Sequence, residues 1–349
     1  MRRLAIKWDQ VSIDAEGHIA GHDAGATLVR RLVKLTHNPI VIGPATRRCD
    51  GFDEMPLEFV DTDSVVVINM DVLDSTKIWR VLREHGQRPA VMNFQWAPTT
   101  TYDDQVPQLI EALSFALFPT FANSERTASA VKEVVKRWTV SDVAEHAKVS
   151  WSNLGFRVEH VLERRKTETP VVLYPAIYLS GRKRPKLFVE IAERVHRKTP
   201  IRVAMRLHES HLVSELAMEL SSKDWFWVGP LTATRVSYWE ALAATTAFLA
   251  TAEEESYGLE YVEAMAAGVI GILPDTTWAR ALVPQGYPFF WQTAGEAESL
   301  LERAVTEPEA CRAELDAISG GDFTGWMADK HSDDDFEQAM LARLQEWFA

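Results

Sequence analysis

Glu253-Glu254-Glu255-Ser256-Tyr257-Gly258-Leu259-Glu260-Tyr261-Val262-Glu263-Ala264-Met265-Ala266-Ala267-Gly268 is the most informative stretch of this sequence. It follows the strand-like run Ala247-Phe248-Leu249-Ala250 and opens a helix of small and apolar residues over 258–267. Gly258 lets a ligand come close to the backbone. The N–H groups at the helix start, near Gly258 and Leu259, combine with the helix dipole into an anion site suited to a phosphate. Glu255 stands before the helix and Glu263 inside it. A carboxylate accepts hydrogen bonds, so each suits a pair of hydroxyls such as a sugar or ribose presents. Three carboxylates in a row, Glu253 to Glu255, suit a site that reads hydroxyls beside the phosphate. The plainer reading of any one glutamate is a solvated side chain; the spacing, the glycines and the small-residue helix weigh against it here.

Around this stretch, strands and helices alternate. In the first half, strand-like runs lie at 4–8, 39–44, 65–68, 90–94 and 120–124. Helical spacing recurs at 26–35, 78–85 and 109–117. Ser124 suits the cap of a helix over 125–138. The polar stretch Arg164-Arg165-Lys166-Thr167-Glu168-Thr169-Pro170 reads as a linker. Alternation then restarts, with strands at 171–174, 201–205, 225–228, 247–250 and 269–273. Helices fit 187–195, 211–220, 237–244, 296–306 and 335–348. Such alternation predicts doubly wound parallel sheets, which bind ligands at the loops after the strands.

The motif resembles the E-x7-E signature of retaining GT-B glycosyltransferases of the family 4 group, E-G-F-G-L-x-x-x-E-A-M-A-x-G. Ser256 and Tyr257 replace Gly and Phe. Trp227-Val228-Gly229-Pro230-Leu231 and the helix at Tyr238-Trp239-Glu240-Ala241-Leu242 are similar to the family's preceding elements, and the resemblance covers about residues 170–310. It implies a GT-B fold: two Rossmann-like doubly wound parallel-sheet domains facing a cleft, with the C-terminal helix crossing back. The domains would be an acceptor domain at 1–165, a nucleotide-sugar donor domain at 170–332, and a helix at 333–349 packing on the first. It further implies a metal-independent transfer from a nucleotide-diphosphate donor to an acceptor hydroxyl, with retention of configuration. Glu263 would hold the ribose and Glu255 the donor sugar. Ser256, Tyr257 and the amides of Gly258 and Leu259 would line the donor site. No resident cofactor is implied; the donor would be a UDP- or GDP-sugar.

A departing diphosphate needs cations. Ser180-Gly181-Arg182-Lys183-Arg184-Pro185-Lys186 supplies them, and Arg182 and Lys183 are the catalytic candidates beside Glu255. The family's Gly-Arg pair has no clean counterpart, since Ala176-Ile177 stand in its place. Met205-Arg206-Leu207-His208 lacks the usual glycine-rich strand end. In the first half, the loop Gly17–Gly25 corresponds to the family's glycine-rich loop, with Gly21 near the donor and His22 near the acceptor. His18 and His22 are the loop's acid–base candidates. Gln95 and Trp96 stand where many members carry a histidine, so they are cleft-lining candidates. Asp333-Asp334-Asp335 reads as helix-start charge rather than a metal site.

Length and composition fit this reading. The 349 residues suggest two domains, and 37 Lys+Arg against 50 Asp+Glu leave a net charge of −13. That balance disfavours a phosphate-backbone partner. Cys49 and Cys311 make no metal or redox spacing, and a reducing cytoplasm fits. The start, Met1 to Asp9, is basic without an apolar core and so does not read as a signal peptide, and no run approaches the apolar length expected of a membrane span. Of the 12 tryptophans, Trp225, Trp227 and Trp239 lie in segments expected to be core, and Trp347 on the packing face of the last helix. Trp8 and Trp96 lie at strand ends, where a sugar could stack. Other chemistries on the same fold stay open: an epimerase-like enzyme, a phosphorylase or a non-catalytic binding subunit. A dinucleotide dehydrogenase lacks its G-x-G-x-x-G. The acceptor stays open among small molecule, glycan, protein, lipid and nucleic-acid base.

Overall fold

The structure is a computed structural model that describes residues 2–21, 23–99, 102, 104–231 and 234–349. It divides into two compact units, residues 1–154 with 334–349, and residues 155–333.

The first unit is built on an eight-stranded sheet. Its strands are β1 (Arg3–Lys7), β2 (Ile40–Ile42), β3 (Arg47–Arg48), β4 (Asp53–Met55), β5 (Val65–Asn69), β6 (Val91–Gln95), β7 (Thr120–Ala122) and β8 (Val149–Trp151). They lie in the order β3-β4-β2-β1-β5-β6-β7-β8. Only β3 runs antiparallel to its neighbour. The run Val65-Val66-Val67-Ile68 becomes the centre of the sheet, in register Leu4↔Val66 and Ile6↔Ile68. All five residues of β5 are buried, as a parallel strand covered on both faces requires.

Helices pack on both faces. On one, Ile78 and Leu82 of the helix Ser75–His85 join Ala5, Ile40, Val65, Val67 and Val91. On the other, Phe115 of Gln105–Leu117 and Val131 and Val135 of Glu125–Trp138 close over Val72. Ser124 caps Glu125–Trp138, its hydroxyl accepting from the Thr127 N–H. The last helix, Asp334–Phe348, belongs to this unit. Its Phe336 ring is buried edge-on against Phe94 and Phe121, with the Arg31 guanidinium 4.3 Å above it.

The second unit has six parallel strands: β9 (Val171–Tyr174), β10 (Arg202–Leu207), β11 (Phe226–Pro230), β12 (Ala247–Leu249), β13 (Ile270–Pro274) and β14 (Phe290–Trp291). Their order is β11-β10-β9-β12-β13-β14. The chain builds outward from β9 on one side, then returns to place β12 on the other. The β9/β12 boundary is therefore the topological switch point, where crossovers diverge and leave a crevice at the strands' C-terminal ends. The polar stretch 164–170 lies inside this unit. Arg164 donates to the carbonyls of Ala267 and Thr245.

Two details differ from the sequence reading. The helix expected at 211–220 is two short ones, Glu209–Leu212 and Glu215–Ser221, because Ser214 caps the second through the Ala217 N–H. Trp227, expected in the core, is 47% exposed on β11, with Arg206 4.7 Å above its ring. Trp239 is buried as expected, whereas Trp225 is half-buried and stacks on His196.

Candidate functional site

The glutamate motif sits at the switch point of the second sheet. Its loop leaves β12 and is tied to the turn that follows β9. Thr251 Oγ1 donates to the Lys183 carbonyl at 2.8 Å, and the Glu253 N–H donates to the Arg182 carbonyl at 2.9 Å. That turn, Gly181–Lys183, ends on Arg184 in the left-handed region (φ +49°). Pro185 then starts the helix Pro185–His196, a position where its missing N–H costs nothing. The two loops thereby bring opposite charges together: Lys183 Nζ pairs with Glu255 Oε1.

Glu255 has a second partner. Tyr261 Oη donates to the same Oε1 at 2.7 Å. Burial, then the Glu255 charge, pushes the Tyr261 phenol well above its ordinary pKa, so it acts as a donor. Gly258 makes this possible. Its φ of +82° turns the chain into the helix Leu259–Ala266, and a Cβ there would stand 3.0 Å from the Tyr261 ring.

Glu263 lies on that helix, 3% exposed. Arg235 pairs with its Oε1, and Tyr238 Oη donates to Oε2 at 2.8 Å. Both partners come from the helix Arg235–Ala243 after β11. They stand three residues apart and so share a face. The Arg235 guanidinium also lies 4.9 Å over the Tyr238 ring. Burial opposes the Arg235 charge, but Glu263 outweighs it and the pKa is raised. Glu260, on the same helix, is half-buried. Burial pushes its carboxyl up to about 8; Glu255 and Glu263 add to the rise and Lys183 opposes it. The site therefore holds three glutamates against Lys183 and Arg235.

Sequence reasoning pointed to Glu255, Glu263, Lys183 and Gly258, and the structure brings all four together. It missed Arg235, Tyr238, Tyr261 and Glu260. An arginine and a tyrosine three apart on the helix after β11 were the available signal. Arg182 is exposed in the same turn, while Leu259 and Ser256 are half-buried at the helix start. Tyr257 departs from a donor-lining role. It is 6% exposed, and its hydroxyl meets His331 Nδ1 at 2.8 Å. His331 Nε2 in turn meets the Leu282 carbonyl at 2.9 Å. The Tyr257 proton therefore goes to Nδ1, and Nε2 carries the imidazole hydrogen.

In the first unit, Gly21 (φ +87°) shapes its loop, and its carbonyl accepts from Arg30 at 2.7 Å. His22 lies outside the described residues. His18 faces Asp14 at 3.5 Å and Asp50 at 3.7 Å. Gln95 is 4% exposed and its amide donates to the Ala97 carbonyl at 2.7 Å, so it shapes its own loop. Trp96 is half-buried, with Nε1 on the Met70 carbonyl. Its ring meets Trp8 edge-on at 6.2 Å. Trp8 is a packing residue rather than a stacking surface: it is 6% exposed and fills the space where Gly25 lacks a side chain.

Comparison with solved structures places the fold. A sucrose-phosphate synthase from Thermosynechococcus elongatus matches at TM-score 0.69 and 12% identity, over 100% of this chain and 99% of that one. HepE from Anabaena, solved with UDP and glucose, matches at TM-score 0.71 and 12% identity, over 99% and 100%. The trehalose-6-phosphate synthase OtsA matches at TM-score 0.68 and 9% identity, over 99% of each chain. The chain thus has the fold of these GT-B glycosyltransferases along its whole length. No protein-family model matches the sequence, and no curated protein matches it significantly. Among the described residues no helix is long and apolar enough to cross a membrane.

Proposed function

We propose that this protein is a retaining, metal-independent glycosyltransferase of the family 4 type that uses a nucleotide-diphosphate sugar. The observation that carries the reading is the double ion pair at the second switch point, Lys183–Glu255 and Arg235–Glu263. Each carboxylate suits a pair of hydroxyls, and the cations together with the helix-start amides suit a diphosphate. Glu263 would take the ribose and Glu255 the donor sugar. UDP is the favoured nucleotide, because HepE was solved with UDP and a matching trehalose-phosphate synthase is described as UDP-forming.

In the proposed step the bond between the sugar's anomeric carbon and the donor phosphate oxygen breaks. The acceptor oxygen bonds to that carbon on the same face. The acceptor's proton passes to a phosphate oxygen of the departing diphosphate. Lys183 and Arg182 offset the charge that develops on the diphosphate, the kind of electrostatic assistance that dominates such transfers. Lys183 would exchange Glu255 for phosphate when the donor arrives, freeing Glu255 for a sugar hydroxyl.

Slow hydrolysis of a UDP-sugar, followed as UDP release, tests the proposal. Wild type should release UDP, and Glu263→Ala should lose roughly a hundredfold of kcat/KM, about the 2.7 kcal/mol expected of a lost charged hydrogen bond. Hydrolysis that Glu263→Ala leaves unchanged would remove Glu263 from the donor site.

A further inference from the structure

A groove of about 200 Å³ runs between the second sheet and the helix Arg235–Ala243. Its floor is the sheet. Val171 and Leu173 alternate along β9, and Ala204 and Arg206 along β10, so each pair lies on one face. Ala204 pairs with Leu173 in register, which sets the two rows side by side. The wall is Tyr238, Ala241 and Leu242, three and four residues apart on the helix. The two hydroxyls at the groove are already committed: Tyr238 Oη donates to Glu263 at 2.8 Å, and Thr245 Oγ1 donates to the Ala241 carbonyl at 2.8 Å. What remains is an apolar surface with one cation in it.

That cation is Arg206. It is half-buried, and among the described residues it makes no ion pair and no hydrogen bond. Other half-buried arginines of this unit are answered: Arg312 by the Gly268 carbonyl, and Arg164 by those of Ala267 and Thr245. Burial lowers the Arg206 pKa, and only the Tyr238 phenol opposes the fall. The guanidinium is nevertheless held in place. Arg206 pairs in register with Gly229 on β11. A Cβ on Gly229 would stand 2.5 Å from the Trp227 ring, so its absence lets that ring lie along the sheet, 4.7 Å from the guanidinium. Stacking occupies the flat face of a guanidinium and leaves its five N–H donors in the plane. A fixed fork of donors without an acceptor stands in the wall of an apolar groove.

We propose that this groove binds a small organic carboxylate, its apolar body lying between β9, β10 and the helix Arg235–Ala243 and its carboxylate on the Arg206 fork. A carboxylate takes two parallel N–H bonds from a guanidinium. The volume suits a body of about one ring, since a cavity of roughly 150 Å³ holds benzene. One guanidinium neutralises one charge, so a dianion would leave a charge uncompensated in a chain of net charge −13. The bound body rests on the Tyr238 ring, whose hydroxyl holds Glu263. A ligand that fixes this ring fixes the glutamate assigned to the ribose, so it tightens nucleotide binding, and the nucleotide tightens ligand binding by the same factor. The link to the nucleotide rests on the glycosyltransferase reading above; the preference for a carboxylate does not.

Binding of benzoate, benzyl alcohol and phenyl phosphate to the full chain, measured by ligand-observed NMR, tests this. Benzoate should bind about tenfold or more tighter than benzyl alcohol, one charged hydrogen bond's worth, and phenyl phosphate more weakly than benzoate. Equal binding of benzoate and benzyl alcohol, or tightest binding of the phosphate, overturns the proposal. Arg206→Gln should erase the preference for benzoate. Ala241→Leu should fill the groove and weaken benzoate with Arg206 intact; thermal melting checks that both variants fold. A preference kept in Arg206→Gln, or benzoate binding undiminished in Ala241→Leu, also overturns it. With benzoate saturating, UDP should bind about fivefold tighter; unchanged UDP affinity overturns the link through Tyr238. Benzoate preference in a chain that binds neither UDP nor GDP contradicts the glycosyltransferase reading alone; UDP binding without carboxylate preference contradicts only this one.

Discussion

Gly258 and Arg235 show how much the site depends on single residues. Gly258 has φ +82°, and a methyl group there would press on Tyr261. Gly258→Ala should therefore lower stability by about 1–2 kcal/mol from backbone strain. It should also loosen Glu255, which Tyr261 holds. Chemical denaturation alongside UDP titration checks both effects; full stability with full affinity would show that the turn is not under this constraint. Arg235 acts on Glu263 directly. Arg235→Ala leaves a buried carboxylate with only Tyr238, so it should destabilise by roughly 1–3 kcal/mol, and Arg235→Lys should recover part of that. Glu255, Glu263 and Gly258 were legible because they lie in one ordered stretch. Arg235 was not, because an arginine at a helix start reads as a solvated side chain until β11 and the helix after it are placed beside Glu263. Tyr257 misled for a similar reason: the motif assigns it to the ligand, but its hydroxyl turns inward to His331.

His331 ends the helix Phe323–His331 and ties that helix to the motif loop through Tyr257. Burial holds its pKa down at about 4, against an ordinary 6.5. A depressed pKa gives stability that is complete above 6.5 and lost as pH falls toward 4, because the unfolded chain takes up the proton first. The loss should reach about 3 kcal/mol for this group. His331→Gln should flatten the fall in melting temperature between pH 6.5 and 4; an unchanged slope would assign the acid sensitivity elsewhere. Glu111 on the helix Gln105–Leu117 has the opposite sign. Its carboxyl is raised to about 8, so its contribution is full below about 4.5 and fades as pH rises toward 8. Glu111→Gln should remove that loss at alkaline pH. Elements with a strong local signal were legible from sequence, as with the continuous apolar run in Val65–Asn69 and the capped helix Glu125–Trp138. The two-residue β3 and the three-residue β8 were not, because so few residues carry no period. Their pairing is set by neighbours distant in sequence.

At the scale of the molecule, the alternation of strands and helices fixes where each sheet reverses its direction of growth. Both reversals gather charge at the strands' C-terminal ends, and the two sets differ. The second unit pairs glutamates with Lys183 and Arg235, and the first surrounds one lysine with aspartates. The net charge of −13 hides this difference, as a sum over the chain must. We propose that the second unit binds a nucleoside diphosphate through Lys183 and Glu263. Calorimetric titration of UDP and GDP into wild type, Lys183→Ala and Glu263→Ala tests it most directly. Wild type should bind one of the two, Lys183→Ala should weaken that binding by roughly tenfold or more, and Glu263→Ala should weaken it by a similar factor. No binding of either nucleotide to wild type, or affinity unchanged in both variants, would contradict the account.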